Sequence, residues 1–184
     1  MATIRCGTQS VLMIVDVQNG VMGKCHNAAQ TIANVARTVE RARASKVPVI
    51  WVQHESDELK RDSDAWQWVP ELVPAADEVR IYKQFNSAFE QTDAGDALAR
   101  LGATHIVLAG AQTNWCIRAS AYGALERGYD LTLVQDAHTT SDLDVGNGIK
   151  IDAPTIVRDL NVTMKWLEYP GRRNSIAAAD EVEF

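Results

Sequence analysis

The sequence predicts a three-layer, doubly wound α/β fold, with a mostly parallel sheet covered by helices on both faces. Short β-branched apolar runs recur along the chain, and stretches with helical spacing separate each run from the next. No internal repeat or low-complexity segment competes with that pattern.

Val11-Leu12-Met13-Ile14-Val15 is an apolar run that stops at Asp16, as a strand buried on both faces would. From Asn27 to Ser45, apolar residues at Ile32, Val35, Ala36, Val39 and Ala42 follow the three-and-four spacing of an amphipathic helix. Pro48 opens the next run, Val49 to Val52. The polar stretch from Glu55 to Ala76 holds Pro70, Pro74, Trp66 and Trp68 without clear period, and reads as a long connection that could wall a pocket.

Glu78 to Tyr82 alternates as a strand and ends at Lys83; Asp93 to Leu101 reads as a helix stopped by Gly102. His105 to Ala109 is the next buried strand, Gly110 to Thr113 a tight turn, and Asn114 to Arg127 a helix ended by Gly128. Leu131 to Val134 predicts a strand followed by a loop around Asp136, Ala137 and His138. Ser141 to Leu160 predicts a helix with a break near Pro154, and Val162 to Met164 a last short strand. One domain is expected, with its core over about 10–169 and a tail, 171–184, that has no evident part in the core.

Of the 184 residues, 46% are hydrophobic and 23% charged, a balance suited to one sizeable core. The formal net charge of -6, without any Lys/Arg-rich run, argues against a nucleic-acid partner and favours small ligands. Residues 1–10 do not read as a secretory signal, and no segment reaches the ~18 apolar residues of a membrane span. The expected location is the cytoplasm, with no membrane partner. Cys6, Cys25 and Cys116 are an odd set in such a chain, so a disulfide framework is not expected.

Open α/β sheets bind ligands beyond the carboxyl ends of their strands, which here brings forward Asp16, His54, Lys83, the turn from Gly110 to Cys116, and Asp136. Three of these make a coherent set. Cys116 near a helix start, with the Lys83 ammonium close, is expected to be shifted toward thiolate from an ordinary thiol pKa of about 8.5. Asp16 can take the thiol proton and later deliver it to a leaving nitrogen. The turn before Cys116 points backbone N–H groups toward the space beside it, where an oxyanion would develop.

The bland readings differ residue by residue. An Asp ending a strand is common, a lone Lys is usually solvated, and a Cys in an apolar helix is more often packing than nucleophile. Cys6 and Cys25 lack strand-end partners. His26 and His54 find no third ligand for a metal by spacing, and His138 reads as a loop histidine that hydrogen-bonds backbone near the pocket mouth. Gln18 and Asn86 could bind substrate or secure the loops that carry Asp16 and Lys83. Phe89 and Trp115 could pack on a flat substrate or lie in the core, while Tyr122 reads as packing.

At these same residues the chain resembles the isochorismatase-like cysteine hydrolases, the superfamily of nicotinamidases and N-carbamoylsarcosine amidases. Three motifs carry the likeness, which runs from Ser10 to Tyr169: Val11 to Asn19 around the Asp, Tyr82 to Phe89 around the Lys, and Gly110 to Ile117 around the Cys. Gly128 to Asp136-Ala137 is similar to the family's next strand and loop.

The resemblance implies a six-stranded parallel sheet, an Asp16-Lys83-Cys116 triad, a cis peptide between Ala111 and Gln112, and an oxyanion hole from the Gln112 and Cys116 amides. It also implies a homo-oligomer; separately, five tryptophans and the unassigned tail offer apolar surface to a second copy, with the tail as a candidate arm to a partner subunit. Nicotinamidases hold a divalent metal through an Asp-x-His pair and a further His. This chain has Gln53-His54-Glu55 there and no second histidine before His105, which points away from a metal and from nicotinamide; no cofactor is expected. The expected reaction is hydrolysis of a carbon-nitrogen bond in a small amide, carbamoyl or ureido compound. Isochorismate-type vinyl ether cleavage, or a scaffold with a redox-sensitive thiol, are the alternatives.

Overall fold

The computed structural model describes residue 5 and residues 7–184. Strands β1 (Ser10–Val15), β2 (Val49–His54), β3 (Val79–Lys83), β4 (His105–Ala111), β5 (Asp130–Thr139) and β8 (Asn174–Ala177) form one sheet in the order β3-β2-β1-β4-β5-β8, and every pairing in it is parallel. A hairpin of β6 (Leu143–Gly146) and β7 (Ile149–Ile151) stands apart from it.

Alternate residues of β1 feed two cores. Leu12 and Ile14 pack with Ile32, Val35, Val39 and Ala42 of α2 (Ala28–Ala44). Val11, Met13 and Val15 face the other side, packing with α3 (Ala94–Arg100), α4 (Arg118–Glu126) and α5 (Ala153–Trp166). A strand apolar on both faces is therefore covered on both, which is why β1 lies near the middle of the sheet. A short turn of helix, α1 (Asn19–Met22), follows β1.

The predicted strands and helices before residue 130 occur within a few residues of their expected bounds, except that a π-helical turn, Thr113–Ile117, precedes α4. The segment between β2 and β3 contains no helix or named strand, and Trp68 pairs in an isolated bridge with Gln18 and sets its ring edge-on to Trp51 at 5.1 Å.

The C-terminal third corrects the sequence reading. Strand β5 runs on through Asp136, Ala137 and His138, which are not a loop. The expected helix from Ser141 is a hairpin first, because Gly146, Asn147 and Gly148 all take positive φ, the backbone of a tight reversal. Pro154 sits at the start of α5, not at a break, and the Asp152 carboxylate caps that start through the Thr155 N–H at 2.7 Å. Val162 to Met164 lie within α5, where Ile156, Leu160 and Met164 share its buried face.

The last strand is β8, in the tail. It pairs with β5 of its own chain, Ala179 and Val182 are buried in the α2-side core, and the Ala179 N–H donates to the Asp136 carboxylate at 2.8 Å. The tail, expected to have no part in the core, is thus built into it.

Candidate active site

The carboxyl ends of β3, β2, β1 and β4 lie side by side, and each delivers one reactive side chain to one spot. Lys83 closes β3, His54 closes β2, Asp16 follows β1, and Cys116 lies in the turn after β4. His54 and Lys83 are direct partners in the β2–β3 register, so their side chains leave the same face of the sheet. Asp16 leaves its strand with φ of 53°, a left-handed turn uncommon for a residue with a side chain, while its N–H still donates to the Val52 carbonyl at 2.9 Å. Gly110, at φ of 129°, brings β4 so close that a Cβ would overlap the Val15 carbonyl; only glycine lets the two strand ends meet.

The Lys83 ammonium lies 2.6 Å from Asp16 Oδ2, 3.2 Å from Cys116 Sγ and 3.1 Å from His54 Nδ1. The Lys83 and Asp16 side chains are 0% and 2% exposed, so this pair is shielded from water and salt alike. Asp16 Oδ1 is buried and has no hydrogen-bond partner, which leaves one carboxylate oxygen free to accept a proton. Burial alone would lower the Lys83 pKa, but the Asp16 charge and then Cys116 outweigh it and hold the ammonium above its ordinary value.

The thiol departs from expectation. Burial first, then the neighbouring Asp16 charge, push Cys116 up to about 12, and Lys83 only partly opposes them. The shift favours the neutral thiol over the thiolate at Cys116. Its turn lies deep enough that desolvation exceeds whatever the ammonium supplies.

A cavity of about 560 Å³ opens over these groups, lined among others by Asp16, Lys24, His54, Glu58, Asn86, Gln112, Trp115 and Cys116. The Glu55–Ala76 connection contributes Ser56, Glu58, Leu59 and Ala65 to its wall. The Ala111–Gln112 peptide is cis, and the Gln112 carbonyl accepts from the N–H groups of Trp115 and Ile117, both at 3.1 Å, which shapes the turn around Cys116.

Other sequence candidates separate cleanly. Asn86 is exposed at the cavity, 3.9 Å from Cys116 Sγ, and Trp115 is 47% exposed at the rim. Gln18 is 0% exposed, and its amide is spent on His54 and Trp66 backbone, so it secures loops and does not face a ligand. Phe89 is in the core beside Tyr129, with ring centroids 6.3 Å apart, away from the cavity. Tyr122 packs on the same core.

His138 is buried in β5, where Thr113 Oγ1 donates to Nδ1 and Nε2 donates to Asn161 Oδ1, each at 2.9 Å; it braces the turn that carries Cys116 and is not at the pocket mouth. His26 is held through its backbone by Thr139 and Thr140. Cys25 does have a strand-end neighbour, the Gln112 amide at 3.8 Å, and burial raises its pKa. Cys6 lies outside the described residues.

The group that sequence reasoning set aside is His54. Its signal was the same as that of Asp16 and Lys83: a polar side chain directly after an apolar run. Among the described residues, Asp16, His54 and Cys116 are the one trio whose ligand atoms lie within 4.8 Å of each other. All three converge on the Lys83 ammonium, so a divalent cation would meet a fixed positive charge there, and the arrangement does not fit a metal.

The isochorismatase-domain family model matches residues 10–146, a span that holds Asp16, Lys83 and Cys116. The chain belongs to the isochorismatase family. It is 29% identical over 182 residues to a probable inactive nicotinamidase from Arabidopsis thaliana, covering 80% of this chain and 92% of that one. Over 65 residues, 35% of this chain and 30% of the relative, it is 40% identical to a maleamate amidohydrolase from Pseudomonas putida. The isochorismatase-family fold is shared with a solved isochorismatase from Pseudomonas putida KT2440, at a TM-score of 0.85 and 26% identity, over 94% of this chain and 89% of that one. Among the described residues, no helix is long and apolar enough to cross a membrane.

Proposed function

We propose that this isochorismatase-family hydrolase cleaves a carbon-nitrogen bond, other than a peptide bond, in a small amide, carbamoyl or ureido compound, through a thioester on Cys116. The observation that carries the reading is one buried ammonium bridging a carboxylate at 2.6 Å and a thiol at 3.2 Å, both of which line a cavity. A likeness to a maleamate amidohydrolase supports the bond type.

The proton account begins with a neutral thiol. Asp16 takes the Cys116 proton as the sulfur adds to the carbonyl carbon, and Lys83 balances the sulfur charge as it forms. The Gln112 and Cys116 amides receive the oxyanion. The tetrahedral adduct expels its nitrogen with the proton Asp16 has held, leaving the thioester. Asp16 then deprotonates water, which adds to the thioester carbon; collapse expels the sulfur, and Cys116 regains its proton. Asn86 and Trp115 supply the polar and flat contacts for the rest of the substrate.

The test is ammonia or amine release from a panel of small amides, ureido acids and carbamoyl compounds by the parent protein and by Cys116→Ala. Release that disappears in the variant supports the reading. Release that survives in Cys116→Ala would contradict it, and cleavage of a vinyl ether with Cys116 dispensable would replace it.

A further inference from the structure

We propose that His54 is a positioning residue of the site, the third acceptor that fixes the Lys83 ammonium between Asp16 and Cys116; the inference rests on the function proposed above. An ammonium has three N–H donors and no acceptor. Those three donors are matched here by Asp16 Oδ2 at 2.6 Å, Cys116 Sγ at 3.2 Å and His54 Nδ1 at 3.1 Å. Without His54 one donor would be left in a buried setting, and the four-carbon stem would be free to rotate the other two away from the line between carboxylate and sulfur.

The direction of this bond fixes the ring. Because Lys83 donates, Nδ1 must be unprotonated, and a neutral imidazole then carries its hydrogen on Nε2. His54 lines the cavity, so that N–H is placed on the substrate side. Burial and the adjacent Lys83 charge lower the His54 pKa, which keeps the ring in the neutral form that can accept.

Two further observations show that His54 is held for this task. Its backbone N–H and C=O are both bonded to the buried Gln18 amide, at 2.9 and 3.0 Å. It is also the register partner of Lys83 across β2–β3, so the ring and the ammonium are set by neighbouring backbones and not by a loop.

Two readouts test the proposal. In the parent protein, ¹⁵N NMR of the His54 ring should report a single tautomer, with Nε2 protonated and Nδ1 hydrogen-bonded, and Lys83→Met should abolish the hydrogen-bonded signature. This measurement needs no substrate, so it stands even if Cys116→Ala retains hydrolysis and the proposed reaction fails. With the best substrate of the panel, His54→Leu should lose roughly 10- to 100-fold in kcat at little changed KM, as a bystander on the cavity wall would not. His54→Asn can place an amide oxygen near the Nδ1 position and should recover most of that loss; if His54→Leu does not fold, His54→Ala takes its place. An Nδ1-protonated ring, or a leucine variant with parental kcat, would overturn the proposal.

Discussion

The side-chain amide of Gln18 and the backbone of His54 are joined in both directions: Nε2 donates to the His54 carbonyl at 3.0 Å, and Oε1 accepts from the His54 N–H at 2.9 Å. A residue two positions past Asp16 thereby fixes the end of the neighbouring strand. Gln18→Ala leaves both backbone groups without these partners in a largely buried position, and should cost about 2–4 kcal/mol. Urea unfolding of the variant against the parent measures it.

Gly110→Ala is expected to be more damaging than an ordinary added methyl. The φ of 129° disfavours any side chain, and the new Cβ would overlap the Val15 carbonyl next to Asp16. A loss of at least about 3 kcal/mol, read as a lowered urea midpoint or as insoluble protein, is predicted. Parental stability would mean that β1 and β4 are not locked at this crossing.

Asp16→Asn should move two properties in opposite directions. Removing the negative charge that helps hold the Cys116 thiol near 12 leaves Lys83 to favour the thiolate, so alkylation of the free protein by iodoacetamide at pH 7 should speed up. Turnover should meanwhile fall by about 10²-fold or more, because the proposed proton carrier is gone. Rates that fall together would assign Asp16 a different duty.

How much of this was legible beforehand follows from where the information lies. Strands β1, β2, β4 and β5 announce themselves through continuous apolar runs and β3 through its alternation, and Asp16, Lys83 and Cys116 stand out as polar or reactive groups next to those strands. Phe89 and Gln18 were ambiguous because sequence does not say which way a side chain leaves a loop; one joins the core and the other clasps backbone. The β8 edge strand, Asn174 to Ala177, was missed because it is short and half-buried and carries little apolar signal. The hairpin turn at Gly146-Asn147-Gly148 was readable from its residues and was masked by the helical spacing around it. The upward shift of the Cys116 thiol was not readable at all, since it depends on burial competing with Lys83 at close range.

His138 gives the fold an acid-sensitive brace. Burial holds its pKa down to about 4 from an ordinary 6.5, with Asn161 and Asp136 opposing. The unfolded chain therefore binds this proton first as pH falls, and stability present above 6.5 is lost progressively as pH drops toward 4. Between pH 7 and pH 5 His138 should contribute about 2 kcal/mol to the loss, beside smaller contributions from the lowered His54 and His105, and the loss should shrink by about that amount in His138→Asn. Urea unfolding at the two pH values, in both proteins, gives the comparison; equal pH dependence would remove His138 as the cause.

The central claim is that Cys116 carries the substrate's acyl group. Acid quenching during steady-state turnover of the best amide substrate, followed by mass measurement of the peptide that contains Cys116, tests it most directly. The account predicts an added acyl mass on that peptide, labile to hydroxylamine and absent from Cys116→Ala, which releases no product. Sustained release from the Cys116→Ala protein, with no adduct on the parent, would contradict it.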